Sequence, residues 1–544
     1  MREEPKPSST ISLATRLRRR LRSFEPMHIA LLGLLSLPGY VIESLAFLQV
    51  FALFFLVFFW PFVAPLVDVV LRRGSDEDSE EPTDWIHLGD WRAYAAWMLM
   101  MPLTFLNPLV MTQDLLQLFG SAVAFARHRG SFPDPESYEQ RVPYRLPFDG
   151  TWTVVNGSHD QNYSHSWFPV NQRYAYDFVI TDDDGRTSPE NTGAGVENYY
   201  CYEEPIRSPA AGVVVDAFET DFEASYGGGL SHPLKRDIRG CYVVIQHAPD
   251  EYSCLAHLVP GSLTVAPGDC VDRGELVGRC GHSGNSSEPH LHFQIQDHPV
   301  FELSAGLPVA FDGITIQWPG AEASDIDSHP GLDENRAGER LLEADTGDQT
   351  TVGDGGPNDE SSSHRDEAGP ARSYISAGQR VTYGGENDGN SSHRSGGVPS
   401  DADEPLARSS DDSRAGIATV RRTCFGVCVG AIVTFFGSIV VSGGFVALLL
   451  GAGLAIGVAA RVGFAVRRGN DFGRRANWIG TALGVGLVAG VLTVVTQADP
   501  FAGVGPQSIA GLFFSIGFTG YGALGEFNRR RLGDRFAEHS VDGP

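Results

Sequence analysis

Lysine is almost missing from this chain of 544 residues: only Lys6 and Lys235 occur, and every other basic residue is arginine. Basic residues number 41 against 67 acidic ones, a formal net charge of −26. Such a chain has no basic footprint to displace counterions from a phosphate backbone, which excludes nucleic acid as a partner. An acid-rich, lysine-poor composition suits a very salty environment, where screening relieves self-repulsion. Cysteine is scarce too. There are seven, none in a C-x-x-C pair, which argues against a zinc ribbon or a thioredoxin-like motif. Five of them (Cys201, Cys241, Cys254, Cys270 and Cys280) share one stretch, an odd number that leaves at least one unpaired. They read as small buried hydrophobes. The middle of the chain lacks long apolar runs, and the ends are full of them, so a single soluble globule is excluded.

After a basic tail, 1–26, apolar runs fill 27–130. The heaviest spans Leu45 to Leu71 and exceeds the roughly 20 residues needed to cross a bilayer. Pro38-Gly39, Pro102 and Asn107-Pro108 break the region into three or four short spans. Four more apolar spans lie in 419–531, at about 424–441, 444–464, 477–497 and 507–526, ahead of a tail, 532–544. They are rich in small-xxx-small pairs such as Gly426/Gly430 and Gly480/Gly484, which suit closely packed membrane helices. The first three hold no Asp, Glu, Lys or His, and only Glu526 closes the fourth, which argues against an ion pathway.

Between these regions, 143–318 is punctuated by Gly, Pro and Asp and broken into short apolar or alternating runs: "YAYDFVI" (174–180), "CYVVIQHA" (241–248), "YSCLAHL" (252–258) and "HLHFQIQD" (290–297). This pattern predicts a β-rich domain. Residues 319–418 are dominated by Asp, Glu, Ser, Gly and Arg, and are expected to be a disordered linker.

On a strand through 290–296, side chains alternate between faces. His290, His292, Gln294 and Gln296 then share one face, and Leu291, Phe293 and Ile295 the core face. Two histidines at i and i+2 can aim at one ion or one substrate atom. Asp177 stands in an otherwise uncharged run, where a lone buried acid is costly without a metal or a basic partner. His257 sits on a further strand-like run. Two or three imidazoles with one carboxylate suit a catalytic zinc that keeps one position open for water.

These residues, with "SPAAGVVV" (208–215), "YSCLAHL" (252–258) and "VAPGDCVDRGELVGRCGHSGNSSEPHLHF" (265–293), make the chain resemble the lysostaphin/LytM-type zinc metallopeptidases over about 150–300. The resemblance implies an antiparallel, β-rich LytM-like domain between two α-helical transmembrane regions, with Zn2+ as cofactor. It implies Asp177 and His292 as zinc ligands, and His257 and His290 as the histidines that assist the water and stabilise the oxyanion. The family's remaining ligand stands four residues before the aspartate, and here position 173 is Arg. His165 is the substitute expected as the third ligand, with His159 as its rival. The function implied is a membrane-anchored zinc metalloendopeptidase, whose partners are the lipid bilayer and a peptide or cell-envelope polymer substrate. The missing spacing keeps open a degenerate binding or regulatory module. A lipoyl-type carrier would need a lysine at a hairpin tip, and Lys235 lies outside the matching hairpin. A transporter is opposed by the charge-poor C-terminal spans. The side of the membrane stays open, because three or four N-terminal spans give opposite answers under the positive-inside rule.

Overall fold

The structure is a computed structural model that describes much of 29–59, then 82–87, 91–319 apart from 162, 163 and 165, 372–384, 411–468, 477–497 and 505–541. It falls into two compact units, 1–80 and 81–544. In the first, the described residues include two apolar 3-10 segments, Leu31–Ser36 and Glu43–Phe59. The basic tail and the apolar run beyond Phe59 lie outside the described residues.

The second unit opens with helices α1 (Trp91–Leu106) and α2 (Pro108–Arg127). Asn107 caps α2, its side chain accepting from Leu109 N at 3.1 Å and Val110 N at 3.4 Å, and Pro108 follows where a missing N–H costs nothing. The strands come next: β1 (Thr151–Asn156), β2 (Tyr176–Val179), β3 (Pro205–Arg207), β4 (Gly212–Phe218), β5 (Cys241–Ala248), β6 (Glu251–Leu258), β7 (Cys270–Val271), β8 (Leu276–Arg279), β9 (Leu291–Gln296), β10 (Gly306–Leu307), β11 (Phe311–Asp312), β12 (Ile314–Gln317), β13 (Arg372–Ser373) and β14 (Arg380–Tyr383). One antiparallel sheet runs in the order β12-β14-β1-β2-β9-β6-β5-β4-β7, with β10 also on β9. The expectation of a β-rich antiparallel domain holds. Leu291, Phe293 and Ile295 enter the main core beside Phe178, Val243, Ile245 and Leu255. The opposite face, with Tyr242, Val244, Tyr252 and Cys254, is covered by Val110 of α2 and by Phe301 and Leu532. Burial on both faces is why β5 carries little polar alternation.

The expectation of a disordered 319–418 fails in two segments, 372–384 and 411–418, the second being the start of a helix. Residues 372–384 complete the domain: β14 pairs with both β1 and β12, and β13 with β11. Ile375 and Val381 are fully buried in the main core. An isolated window of thirteen polar-looking residues carries too little apolar content to reveal this. Its stability comes from sheet edges supplied by the rest of the domain.

The chain ends in four helices: α3 (Asp411–Val440), α4 (Gly443–Arg468), α5 (Asn477–Gln497) and α6 (Pro506–Val541). Residues 532–541, expected as a tail, continue α6. Among the described residues, four helices are long and apolar enough to cross a membrane: Pro108–Arg127, Gly416–Val440, Ile479–Gln497 and Pro506–Asp534. Glycines bring α3 and α5 into backbone contact. A Cβ on Gly426 would stand 2.1 Å from Thr481 O, and one on Gly484 2.2 Å from Thr423 O.

Helix α2 differs from the other three because it is fastened along its length to the β domain. Asn107 Nδ2 donates to Lys235 O at 2.8 Å, and Gln113 Oε1 accepts from Ile238 N at 3.0 Å. Gln117 Oε1 accepts from Asn171 Nδ2 at 3.1 Å and Gln172 Nε2 at 2.9 Å. Arg127 forks onto Asp297, both bonds at 3.0 Å, and also reaches Glu526 of α6 at 2.6 Å. Gly120 is required here, since a Cβ would stand 1.8 Å from Glu302 O. One face of α2 is therefore committed to protein from end to end.

Candidate active site

Four neighbouring strands place the site. In the sheet register Asn156 of β1 faces Asp177 of β2, Asp177 faces His292 of β9, and His292 faces Ala256 of β6. His257 follows Ala256 with φ of 60°, a left-handed backbone conformation uncommon outside glycine. The alternation read from "HLHFQI" is what puts His292 and Gln294 on the face opposite the main core.

His292 Nδ1 lies 2.9 Å from Asp177 Oδ1, and His290 Nε2 lies 3.7 Å from the same oxygen. The His257 ring is 4.6 Å from the His290 ring and 5.8 Å from the His292 ring, centroid to centroid. The other oxygen of Asp177 accepts from Asn156 Nδ2 at 2.9 Å. So Asp177, His257, His290 and His292 are brought together. His165 lies outside the described residues. Its rival, His159, stacks on Tyr374 at 4.9 Å. Among the described residues, no group of three or more His, Cys, Asp or Glu side chains closes on a single metal position.

Hydrogen bonds fix which ring nitrogen carries the proton. Gln296 Nε2 donates to His298 O at 2.7 Å, so Gln296 Oε1 is an acceptor. Gln294 Nε2 donates to that Oε1 at 2.7 Å and to Asn171 O at 2.8 Å. Gln294 Oε1 must then accept, and it lies 3.1 Å from His292 Nε2. His292 Nε2 therefore carries hydrogen. In neutral His292 the lone pair of Nδ1 would face the lone pairs of Asp177 Oδ1. Two acceptors at hydrogen-bonding distance repel unless a proton or a cation lies between them. Without a metal the proton is the answer. Burial opposes charge on His292, but the hydrogen bond and charge of Asp177 outweigh it and raise the pKa above the ordinary 6.5. Burial would likewise raise Asp177, but the bond to His292 and the charges of His292 and His290 hold its carboxyl well below the usual range. A carboxylate oxygen and an imidazole lone pair converging on one point also fit a zinc ion.

The other two histidines are held the opposite way round. His290 Nδ1 lies 2.8 Å from Glu288 O, and His257 Nδ1 lies 2.8 Å from Ser283 O. A carbonyl can only accept, so both rings carry hydrogen on Nδ1 and, when neutral, a lone pair on Nε2. Burial, followed by the neighbouring His290 and His292, holds the His257 pKa well below its ordinary value.

Sequence reasoning left His282 aside. It is fully buried, and its Nε2 lies 3.1 Å from Tyr226 O and 2.9 Å from Leu230 O. Its Nδ1 is 2.8 Å from Ser286 Oγ, which is 3.1 Å from His290 Nδ1. Asn156 and Glu288 were also missed, and Gln294 was placed on the site face without a role. For His282 the signal lay in the sequence, inside the glycine turn. Asn156 needed the β1–β2 register.

Residues 192–301 match the family model described as Peptidase family M23. That match contains His257, His290 and His292; Asp177 lies before it. Three curated relatives are similar over part of the chain. The peptidoglycan DD-endopeptidase ShyA of Vibrio cholerae is 28% identical over 173 residues, covering 31% of this chain and 31% of that protein. The peptidoglycan DD-endopeptidase ShyB of the same organism is 31% identical over 114 residues, covering 19% and 26%. The DD-carboxypeptidase/endopeptidase Mpg of Neisseria meningitidis is 34% identical over 91 residues, covering 16% and 20%. The chain thus spans about a third or less of the length of these relatives. Among solved structures, a zinc-containing peptidase from Vibrio cholerae aligns with 22% identity and a TM-score of 0.19, covering 33% of this chain and 45% of that one. Lysostaphin from Staphylococcus simulans aligns with 16% identity and a TM-score of 0.18, covering 28% and 47%.

Proposed function

Starting from an M23, LytM-type domain within the chain, we propose that this protein is a membrane-anchored zinc metalloendopeptidase that hydrolyses peptide bonds, in a cell-wall-type cross-link or in another peptide. The observation that carries the reading is the opposed pair of acceptors, Asp177 Oδ1 and His292 Nδ1, 2.9 Å apart beside two histidines whose Nδ1 atoms are held by backbone carbonyls. Asp177 and His292 would hold the ion, with His165 as third ligand. Zinc, when bound, supplies Lewis acidity to the scissile carbonyl and lowers the pKa of water.

The protein's own residues supply the proton handling. His290 and His257, held by their Nδ1 hydrogens, present Nε2 lone pairs as general bases. Whichever ring takes a proton becomes a donor, either to the developing oxyanion or to the leaving amine. Gln294 and Asn156 hold His292 and Asp177 in the orientation an ion needs. Helices α3, α5 and α6 would anchor the domain to the bilayer by length and composition. Helix α2 would serve as a bracket between sheet and bundle, given its contacts along the whole domain.

The test is zinc content and peptide hydrolysis of the full-length chain, purified in detergent and high salt. About one zinc per chain is expected. It should be lost in Asp177→Ala, His292→Ala and His165→Ala, and kept without activity in His290→Ala. Zinc retained in His165→Ala alone would move the third ligand elsewhere. A folded wild type without zinc would refute the peptidase reading and leave a binding module.

A further inference from the structure

Helices α3 and α6 carry arginine runs that meet at one end of the bundle. Helices α3 and α5 run parallel, because Gly480 lies against Thr419 and Thr423 while Gly430 lies against Val488. The start of α5 is therefore level with Arg421 and Arg422. Helix α6 runs the other way along α3, since Gly517 meets Cys428 and Gly520 meets Cys424, so its C-terminal half returns to the same end. That end carries Arg421-Arg422 and the run Arg529 to Arg531, and in the sequence Arg474-Arg475 stand just before α5. The turn at the opposite end, 441–442, contains neither lysine nor arginine, and neither does the sequence between α5 and α6.

The β domain is bolted to the arginine end. Arg529 reaches Asp250 at 2.6 Å, and Arg421 lies 3.7 Å from Asp216. Tyr521 donates to Glu302, itself buried, at 2.8 Å. Short segments rich in arginine are retained on the cytoplasmic side when apolar helices insert, and the rule counts Lys and Arg rather than net charge. We infer that the β domain lies on the cytoplasmic face of the bilayer, and that the substrate of its site is a polypeptide available on that face, not a cross-linked wall polymer beyond the membrane. The substrate half rests on the peptidase reading proposed above; the sidedness rests only on α3, α5 and α6 crossing. The number of N-terminal spans no longer matters, because domain and arginines are joined through the C-terminal bundle itself.

Cys270 is a native reporter, exposed on the domain while Cys201, Cys241, Cys254, Cys280 and Cys428 are buried. Cells making the full-length chain are treated with a membrane-impermeant maleimide, before and after permeabilisation, with Cys270→Ser as background. Ser442, exposed at the opposite end, is reported by Ser442→Cys in the Cys270→Ser chain. Cys270 is expected to label only after permeabilisation, and Ser442→Cys already in intact cells. Labelling of Cys270 in intact cells overturns the sidedness. Failure of Ser442→Cys to label in intact cells overturns the crossing. For the substrate, the purified full-length chain with zinc is offered a denatured polypeptide and isolated wall sacculi. Cleavage of the polypeptide alone is expected, and cleavage of sacculi alone overturns the substrate half. Cleavage of neither, with Cys270 still protected, overturns the peptidase reading and leaves the sidedness standing.

Discussion

Glu288 gives the sharpest quantitative test of the site's surroundings. It stands two residues before His290, is 8% exposed, and its Oε1 has no hydrogen-bond partner. Burial pushes its carboxyl from the ordinary 4.5 up to about 7. The folded chain thus keeps a proton that the unfolded chain releases, so folding stability falls as pH rises through this window. The contribution is absent below the unfolded pKa, grows from about pH 4.5 to about 7, and levels off above. At ~1.4 kcal/mol per pKa unit, the cost at pH 8 is at most about 3 kcal/mol. Glu288→Gln removes the ionisation and keeps the volume, and the backbone carbonyl that holds His290 is untouched. The two proteins should melt together at about pH 4, below the unfolded value. At pH 8 the variant should melt higher by several degrees, on a scale of ~2–4 °C per kcal/mol for a domain of this size. Thermal unfolding of both full-length chains in one detergent and salt reads this directly, and groups common to both cancel. An identical pH dependence in the two proteins would refute the claim that Glu288 is buried without a partner.

Other outcomes follow from the same geometry. Because Asp177 raises the pKa of His292 above 6.5, zinc must displace a proton there. Apparent zinc affinity should therefore rise from pH 6 to pH 8 in a competitive chelator titration, and a flat profile would contradict the shared position. Gln294→Leu leaves Nε2 of His292 without its acceptor and should weaken zinc binding roughly 10–100-fold in the same titration. Ile375→Ala, in a stretch whose composition suggests disorder, should cost about 2–5 kcal/mol because Ile375 is fully buried; no change on melting would mean that 372–384 is not part of the domain. Removing the carboxylate that Arg127 and His128 share, as in Asp297→Ala, should cost about 1–3 kcal/mol, since Nε of Arg127 and the His128 ring lose their partner while Glu526 still pairs with the guanidinium. Limited proteolysis between sheet and bundle would detect the loss.

Much of this protein is written in local sequence. The alternation of "HLHFQIQ" determined which residues face the core and which face the site. The glycine-punctuated runs determined a β-rich domain, and uninterrupted apolar length marked the C-terminal helices. These features survive translation from sequence because each depends on neighbours one to four residues away. The tertiary structure decided the rest. Asp177 and His292 are 115 residues apart and meet only through the β2–β9 register. The proton positions on His292, His290 and His257 depend on carbonyls and amides brought in by folding. Residues 372–384 gain order from edges that β1, β11 and β12 supply. Helix α2 reads as a membrane span by hydropathy, yet its glutamines and arginine find partners on the domain, because burial against protein and burial in lipid select the same apolar residues. The arginines at 421 and 529 are far apart in the chain, and only helix packing gathers them at the end where the domain sits.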